Sequence, residues 1–412
     1  MLRAPLRRRG RGRRAVPLDP GPALPARLRS GAVERARHTR AALAPGALLA
    51  RLRALPRALA AALVSRLPVL AAGGAASIPV IVSTVRAVRA GWEPDGDDGI
   101  ILTRALDVFT AHTPLVGQFS EAGNVTGQIV HSPGPMLYWL LAIPVRLGGP
   151  PSAAIAMGAV NCLCIVGCVA LARRRGGLVL MVATALAIAL MCRSLSAEIF
   201  HDVWNPSAAM FPFLLLIFVC WSLAAGDYRL LPALVVLASF VIQTHLAYLA
   251  PTVAIVAVAI AGLTATRLLD RRSARRRAIA LPRRVVWRWA AAATVALGLC
   301  WSAPLIDEVE HDPGNLSLIV ATVHDRGPTL GPRVGYYAVV RAIGVTPWFL
   351  SAPRSEWSRK NSVRETPPPG QAATALALIA GLALIALLAA ARRRIDLAAA
   401  ALIGLGMCLG LG

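Results

Sequence analysis

Four carboxylates stand close together in a chain that is otherwise basic and apolar: Glu93, Asp95, Asp97 and Asp98. An ionised carboxylate can take a proton from an attacking hydroxyl, and crowding of like charges raises at least one pKa in such a group. We therefore take Asp97 and Asp98 as the candidate catalytic residues. The alternative is an acidic loop that stabilises the start of a helix over 99–111, where negative charge is favoured.

Two cationic or titratable side chains follow this acidic stretch. Arg104 can meet a phosphate group, or it can pair with Asp107 or Asp98. His131 comes just before a helix start at Pro133, so it can bind a phosphate or an acceptor, or serve as a helix cap. We take Arg104 and His131 as candidate substrate-binding residues.

Four more polar candidates lie at the edges of apolar runs. Trp204 and Asn205 begin one such run, where an interfacial aromatic anchor before a Pro-initiated helix is the alternative to substrate binding. Gln243 and His245 lie in a turn too short for an ordinary loop. Their polar groups either line a cavity, and so bind substrate, or hydrogen-bond within the hairpin.

Composition indicates the class of protein that must position these residues. The 412-residue chain is 56% hydrophobic, with a mean hydropathy of +0.61, which exceeds what a soluble protein can bury and predicts an all-α polytopic integral membrane protein. The formal net charge of +24 does not indicate nucleic-acid binding. The arginines cluster beside apolar runs, as in cytoplasmic loops under the positive-inside rule.

About nine apolar runs approach the 20 residues that a membrane-crossing helix needs. They are 67–85, 152–172, 177–192, 207–225, 230–244, 247–266, 285–305, 371–391 and 395–412. The segment 134–147 is apolar but would rise only about 20 Å as a helix, so we predict that it lies in the membrane interface. This assignment puts every basic cluster and the N-terminus in the cytoplasm.

The topology predicts four regions in a bacterial plasma-membrane protein. Residues 1–66 read as a basic, disordered cytoplasmic tail. Residues 67–305 form a transmembrane core whose long first extracytoplasmic loop carries juxtamembrane helices, and 306–370 form a second extracytoplasmic loop. Residues 371–412 form C-terminal transmembrane helices, and because the last run lacks a polar flank we expect a truncated sequence. All the candidate residues above then face the extracytoplasmic side.

The order of these motifs resembles the GT-C glycosyltransferases, in particular the protein O-mannosyltransferase and aminoarabinose-transferase-like group and its actinobacterial branch. The resemblance covers about 67–320. It rests on five stretches: Gly96-Asp97-Asp98-Gly99 with Arg104 and Asp107-Val108, His131-Ser-Pro-Gly-Pro135, Asp202-Val-Trp204-Asn205-Pro206, Gln243-Thr-His245, and Trp301-Ser-Ala-Pro304-Leu-Ile-Asp307 with Pro313-Gly-Asn315-Leu316. The acidic run is more crowded than the family's motif, and His-Ser-Pro-Gly-Pro replaces His-Pro-Pro.

The resemblance implies a GT-C-like fold and an inverting glycosyltransferase with a first-loop aspartate as general base. Asp97 matches that position best and Asp98 is second. The implied partners are a polyprenyl-phosphate-linked sugar donor, a lipid or polymer acceptor of the cell envelope, and the membrane. Carboxylates of this kind also hold Mg²⁺ or Mn²⁺, so metal dependence stays open. Two other classes stay open: a transporter or lipid flippase, and a non-catalytic envelope assembly protein.

Overall fold

The computed structural model describes residues 65–125, 127–272, 283–324, 330–344, 366, 367 and 369–410. The chain divides at Leu67 into a smaller unit, Met1–Leu67, and a larger compact unit, Pro68–Gly412. The predicted tail over 1–66 lies almost wholly outside the described residues. The larger unit is built of helices, as the composition predicts.

The helices are, in chain order, α1 (Ser65–Ala76), α2 (Ile78–Arg89), α3 (Asp97–Asp107), α4 (Met136–Ser194), α5 (Asn205–Ala224), α6 (Leu231–Thr244), α7 (Leu249–Arg272), α8 (Arg283–Glu310), α9 (Asn315–His324), α10 (Pro332–Ile343), α11 (Pro369–Ala391) and α12 (Ile395–Gly410). Short 3₁₀ helices cover Glu121–Val125, Glu198–Phe200, Tyr228–Leu230 and Leu246–Tyr248. Two strands, β1 (Phe119–Ser120) and β2 (Val130–His131), pair antiparallel in the loop between α3 and α4.

Helix α4 is too long to be one straight span. At 1.5 Å per residue, 59 residues would extend about 88 Å, nearly three times the hydrocarbon core. Two glycine pairs, Gly148–Gly149 and Gly176–Gly177, break its helical geometry, and the second glycine of each pair has a positive φ. The breaks separate 136–147 from 150–175 and 178–194. The first segment corresponds to the short apolar stretch that the sequence predicts in the interface.

Five described helices are long and apolar enough to cross a membrane, and the bent pair α1–α2 makes a sixth if it is one span. The chain is therefore an all-α, membrane-embedded protein. The count of nine remains a prediction, because two of the predicted spans lie within α4 and two others correspond to the shorter apolar helices Tyr228–Thr244 and Ile395–Cys408.

Helix α5 connects two chemically different ends of the helical bundle. Its first residue, Asn205, donates from Nδ2 to the carbonyl of Thr244 at the end of α6 (3.2 Å). We call this the polar end. Near its last turn, Trp221 Nε1 donates to the Asp396 carbonyl (2.8 Å). The 20 residues of α5 span about 30 Å, which matches the hydrocarbon thickness.

Arginines gather at the opposite end of α5, which we call the basic end. Arg174 and Arg175 both pair with Asp227, in the turn that follows α5. Arg267, in the last part of α7, donates to the Tyr228 hydroxyl (2.6 Å) and lies over its ring. Described residues of two basic clusters, Arg174 with Arg175 and Arg267, thus meet at the turn 227–228.

The core places the first-loop helix against the short first segment of α4. Ile101, Leu102 and Ala105 of α3 are buried in one apolar cluster with Leu137 and Leu141 of α4. These α3 positions repeat at helical spacing and so form one apolar face. Packing along this face fixes the start of α3, where the acidic residues lie.

Candidate active site

The first turn of α3 carries Asp97 and Asp98. The residue before it, Gly96, has φ +51°, and no side chain caps the helix start by a hydrogen bond. Both carboxylates still favour the helix N-terminus electrostatically. Asp97 is nevertheless exposed and its side chain turns to other partners, so capping does not account for its position.

Two side chains from distant parts of the chain hold Asp97. The indole Nε1 of Trp204 donates to Oδ2 (3.1 Å), and Nε2 of Gln118 donates to Oδ1 (3.3 Å). The hydroxyl of Tyr138 in turn donates to Oε1 of Gln118 (3.3 Å), which orients the amide. Each carboxylate oxygen of Asp97 therefore accepts one hydrogen bond while the group stays open to solvent.

The neighbouring Asp98 has a different environment. It is half-buried, and its carboxyl hydrogen-bonds to that of Asp202, in the loop before α5. Burial, then the charge of Asp202 and that hydrogen bond, and then the charges of Asp97 and Asp95, raise the pKa of Asp98 to about 8. The raised pKa favours the protonated form of Asp98 at neutral pH, and that form can donate a hydrogen bond to Asp202.

Arg104 and His131 lie within electrostatic reach of each other. Burial lowers the pKa of His131, the charge of Arg104 lowers it further, and Asp307 opposes both effects. His131 is therefore a neutral hydrogen-bonding group at pH 7. Arg104 is largely exposed and pairs with Asp107 at 3.6 Å, one of the two partners that the sequence suggests. An exposed pair of this kind is weak, so the guanidinium can exchange partners.

The segment that joins α8 to α9, together with the start of α9, fixes the backbone at His131. Asn315, at the start of α9, accepts from the His131 N–H (2.9 Å) and donates to its carbonyl (3.1 Å). The Asn315 N–H donates to Oδ2 of the buried Asp307 (2.9 Å). The loop after α8 therefore sets the position of β2 and of the histidine.

Gln243 and Asn205 serve the packing of the polar end. Gln243 is fully buried and donates from Nε2 to the Cys300 carbonyl (2.8 Å), while its Oε1, close to Gly134, has no hydrogen-bond partner in the described part of the chain. Asn205 is buried against the Thr244 carbonyl. The amide nitrogens of both residues therefore tie helices together at the polar end.

His245 forms a hydrogen bond within the hairpin, which is one of the two alternatives that the sequence leaves open. Its Nδ1 accepts from the Ala247 N–H (3.3 Å), which caps the 3₁₀ helix Leu246–Tyr248. Burial lowers its pKa, so the ring is neutral at pH 7.

The acidic cluster is the place to look for a metal site. Among the residues that the structure describes, no three His, Cys, Asp or Glu side chains are grouped so that they could hold a metal ion. In the described part of the cluster, Asp98 and Asp202 form a hydrogen-bonded pair of carboxyls.

Sequence reasoning singled out Asp97, Asp98, Arg104, His131 and Trp204, which the structure brings to one region. It missed partners that complete this region: Asp202, Gln118, Tyr138 and Asn315. Asp202 and Asn315 both stand in stretches that carry the GT-C resemblance, and the position of Asp202 two residues before Trp204 is a usable signal. Gln118 has none, since it lies in an irregular loop.

An all-α membrane protein with a hydrogen-bonded acidic cluster is the class that the fold and site define. Comparison with models of protein families, with curated proteins and with solved structures finds no match for this chain.

Proposed function

We propose that this protein is an inverting glycosyltransferase that moves a sugar from a polyprenyl-phosphate donor to a cell-envelope acceptor on the extracytoplasmic face. Asp97 is the general base. The proposal combines the GT-C resemblance of the motifs with the chemistry of the site. The observation that carries it is the pair of hydrogen bonds from Trp204 and Gln118, which fixes an exposed carboxylate at the polar end of the bundle.

The environments of the two adjacent aspartates support Asp97 over Asp98. A general base must be deprotonated and within reach of the hydroxyl proton that it removes. Asp98 holds its proton up to a pKa of about 8 and is turned towards Asp202. Asp97 is open to solvent, and the two hydrogen bonds that it accepts fix its position for an incoming hydroxyl.

One displacement accounts for the transfer. The acceptor oxygen forms a bond to the anomeric carbon as the bond from that carbon to the phosphate oxygen breaks, and the electron pair leaves with the polyprenyl phosphate. The hydroxyl proton passes to Asp97. Attack from the face opposite the leaving group inverts the anomeric centre, and a single carboxylate is enough.

Arg104 and His131 are suited to the leaving phosphate. Developing negative charge on that phosphate needs positive charge or hydrogen-bond donors. Arg104 supplies the charge, and the neutral imidazole of His131 donates one hydrogen bond. Arg104 lies within electrostatic reach of His131, and also of Tyr138, on which Asp97 acts as well.

The test is complementation of a deletion strain with the full chain carrying Asp97→Asn. We expect normal membrane levels but loss of one sugar from an envelope polymer, with accumulation of its polyprenyl-phosphate donor. Trp204→Phe keeps the ring but removes the indole N–H, so it should lower transfer by at least about tenfold. The matched control is Asp95→Asn, an exposed acid in the same loop.

The two other classes give different results. A non-catalytic assembly protein tolerates Asp97→Asn, so unchanged envelope glycans at normal protein levels would overturn the proposal. A lipid flippase leaves the donor on the cytoplasmic side when it fails. Donor that accumulates only in the cytoplasmic leaflet would favour transport over transfer.

A further inference from the structure

A groove with a volume of about 710 Å³ runs between α7 and the α11–α12 turn at the basic end, far from the acidic cluster. Its lining is almost wholly apolar, and small residues create the space: Ala257, Ala261, Gly262 and Ala265 on α7, and Ala398 with Ala399 on α12. An apolar groove of this volume between membrane helices suits a hydrocarbon chain.

One lining residue is charged. Arg393 lines the groove, and both Arg393 and the preceding Arg392 are exposed. Within the described residues, neither guanidinium has a hydrogen-bond or ion-pair partner. The next residue, Arg394, differs because it is neutralised by Asp396 through Nε to Oδ1 (3.2 Å) and a second contact to Oδ2 (3.1 Å). Two uncompensated positive charges therefore remain where the groove meets the aqueous boundary.

The backbone of this turn is fixed. Arg393 has φ +54°, and its N–H donates to the Ala390 carbonyl (2.9 Å), while the Arg394 N–H donates to Ala389 (2.8 Å). Glycine usually occupies this left-handed position after a helix because it adopts that conformation without steric cost. The turn therefore gives no local reason for an arginine here, and its side chain needs another role.

Other residues of the basic end surround this turn. Trp221 ties the turn to α5 through the Asp396 carbonyl, beside the Arg174–Asp227 pair. A basic pocket between transmembrane helices on the cytoplasmic side is a recognised site for anionic lipid headgroups.

We infer that this groove binds one anionic glycerophospholipid of the cytoplasmic leaflet, with an acyl chain along α7 and α12 and its phosphate on Arg393 and Arg392. The lipid is held by charge at the mouth and by apolar contact along the walls. This site is independent of the proposed transfer reaction, which takes place at the other end of the bundle.

The experiment is native mass spectrometry of the purified full chain from nanodiscs that contain phosphatidylglycerol or, separately, phosphatidylcholine. We expect the wild type to retain phosphatidylglycerol and to lose phosphatidylcholine. A single positive charge near a membrane surface raises the affinity for an anionic lipid about fivefold. Arg393→Gln should therefore weaken retention by about that factor. The double variant Arg392→Gln/Arg393→Gln should weaken it further.

A second variant separates the groove from its charges. Ala261→Leu keeps every arginine and fills the groove from an exposed position, so it should also abolish retention. The matched control is Arg288→Gln, an exposed arginine near the start of α8 and outside the groove lining, which should retain lipid as the wild type does. Size-exclusion profiles show that each variant is folded.

Several outcomes would overturn the inference. Equal retention of both lipids means that the mouth does not select charge. Retention by Ala261→Leu at the wild-type level means that the headgroup binds without the groove. A wild-type dimer that becomes monomeric in Ala261→Leu, with no lipid retained, means that a second copy of this chain occupies the groove.

Discussion

At the residue scale, two adjacent aspartates differ because of where their side chains point. Asp97 accepts from Trp204 and Gln118 in the open, whereas Asp98 is half-buried against a second carboxyl, that of Asp202. Burial beside like charge favours the neutral form of Asp98. Its neighbour of the same type is instead exposed and held by two hydrogen-bond donors, so the two residues are suited to different roles.

The protonated carboxyl predicts a pH dependence of stability. An aspartate in the unfolded chain has a pKa of 3.8, whereas that of Asp98 in the fold is about 8. Between these values the folded chain keeps a proton that the unfolded chain releases. Its contribution to the free energy of unfolding is therefore full below pH 3.8, falls as pH rises, and is lost as pH passes about 8.

Asp98→Asn should flatten this decline, because an amide does not titrate in that range. The measurement is unfolding in detergent micelles as a function of pH, for the wild type and the variant. Glu93→Gln is the control, since Glu93 is exposed in the same loop and is not among the charges that raise the pKa of Asp98. If the wild type and Asp98→Asn have parallel pH profiles, the proton on Asp98 is not the cause.

At the element scale, close contact between α2 and α4 depends on a glycine. A Cβ built on Gly158 would lie 3.2 Å from Thr84 Cβ and closer still to the Thr84 hydroxyl. Ser83, next to Thr84, bonds to the Ala197 carbonyl (2.6 Å) and faces His201 Nδ1 (3.1 Å). The approach of α2 therefore also sets the loop that carries Asp202.

Gly158→Ala should lower the free energy of unfolding by about 1–3 kcal/mol, the usual cost of overpacking. Adding Thr84→Ala should recover part of the loss, since the two sites share one contact. The control is Gly298→Ala in α8, where a Cβ meets nothing within 4 Å and the helix gains slightly. Thermal unfolding in detergent measures all four proteins. Equal losses in the Gly158→Ala and Gly298→Ala variants would contradict the packing argument.

Some of these elements could be predicted from the sequence and others could not. Long apolar runs predict α5 and α11, and an acidic start with an apolar face predicts α3, because these signals are local. The contact of Gln118 with Asp97 depends on a two-residue strand pair, β1–β2, that has no detectable period. The break in α4 at Gly148–Gly149 could not be predicted from the sequence, because the direction of the chain there depends on the packing of α3 against α4.

At the scale of the whole molecule, the two ends of the bundle carry opposite chemistry. Asp97, Asp98 and Asp202 lie at the polar end, and arginines with few acidic partners lie at the basic end. Residues of α5 alone put about 30 Å between them, one hydrocarbon thickness. The positive-inside rule then predicts that the basic end faces the cytoplasm and the acidic cluster faces the opposite side.

Accessibility of introduced cysteines tests this orientation. Ala111→Cys lies just after α3 and Ala391→Cys ends α11, and both positions are exposed. A membrane-impermeant maleimide on intact cells should label Ala111→Cys, whereas Ala391→Cys should react only after permeabilisation. The unmodified chain is the control for background, since six of its seven cysteines are buried and Cys162 is half-buried. The reverse labelling pattern would place the acidic cluster in the cytoplasm, where an extracytoplasmic transfer from a polyprenyl-phosphate donor cannot occur. That result would overturn the proposed function. It would also overturn the assignment of the lipid groove to the cytoplasmic leaflet.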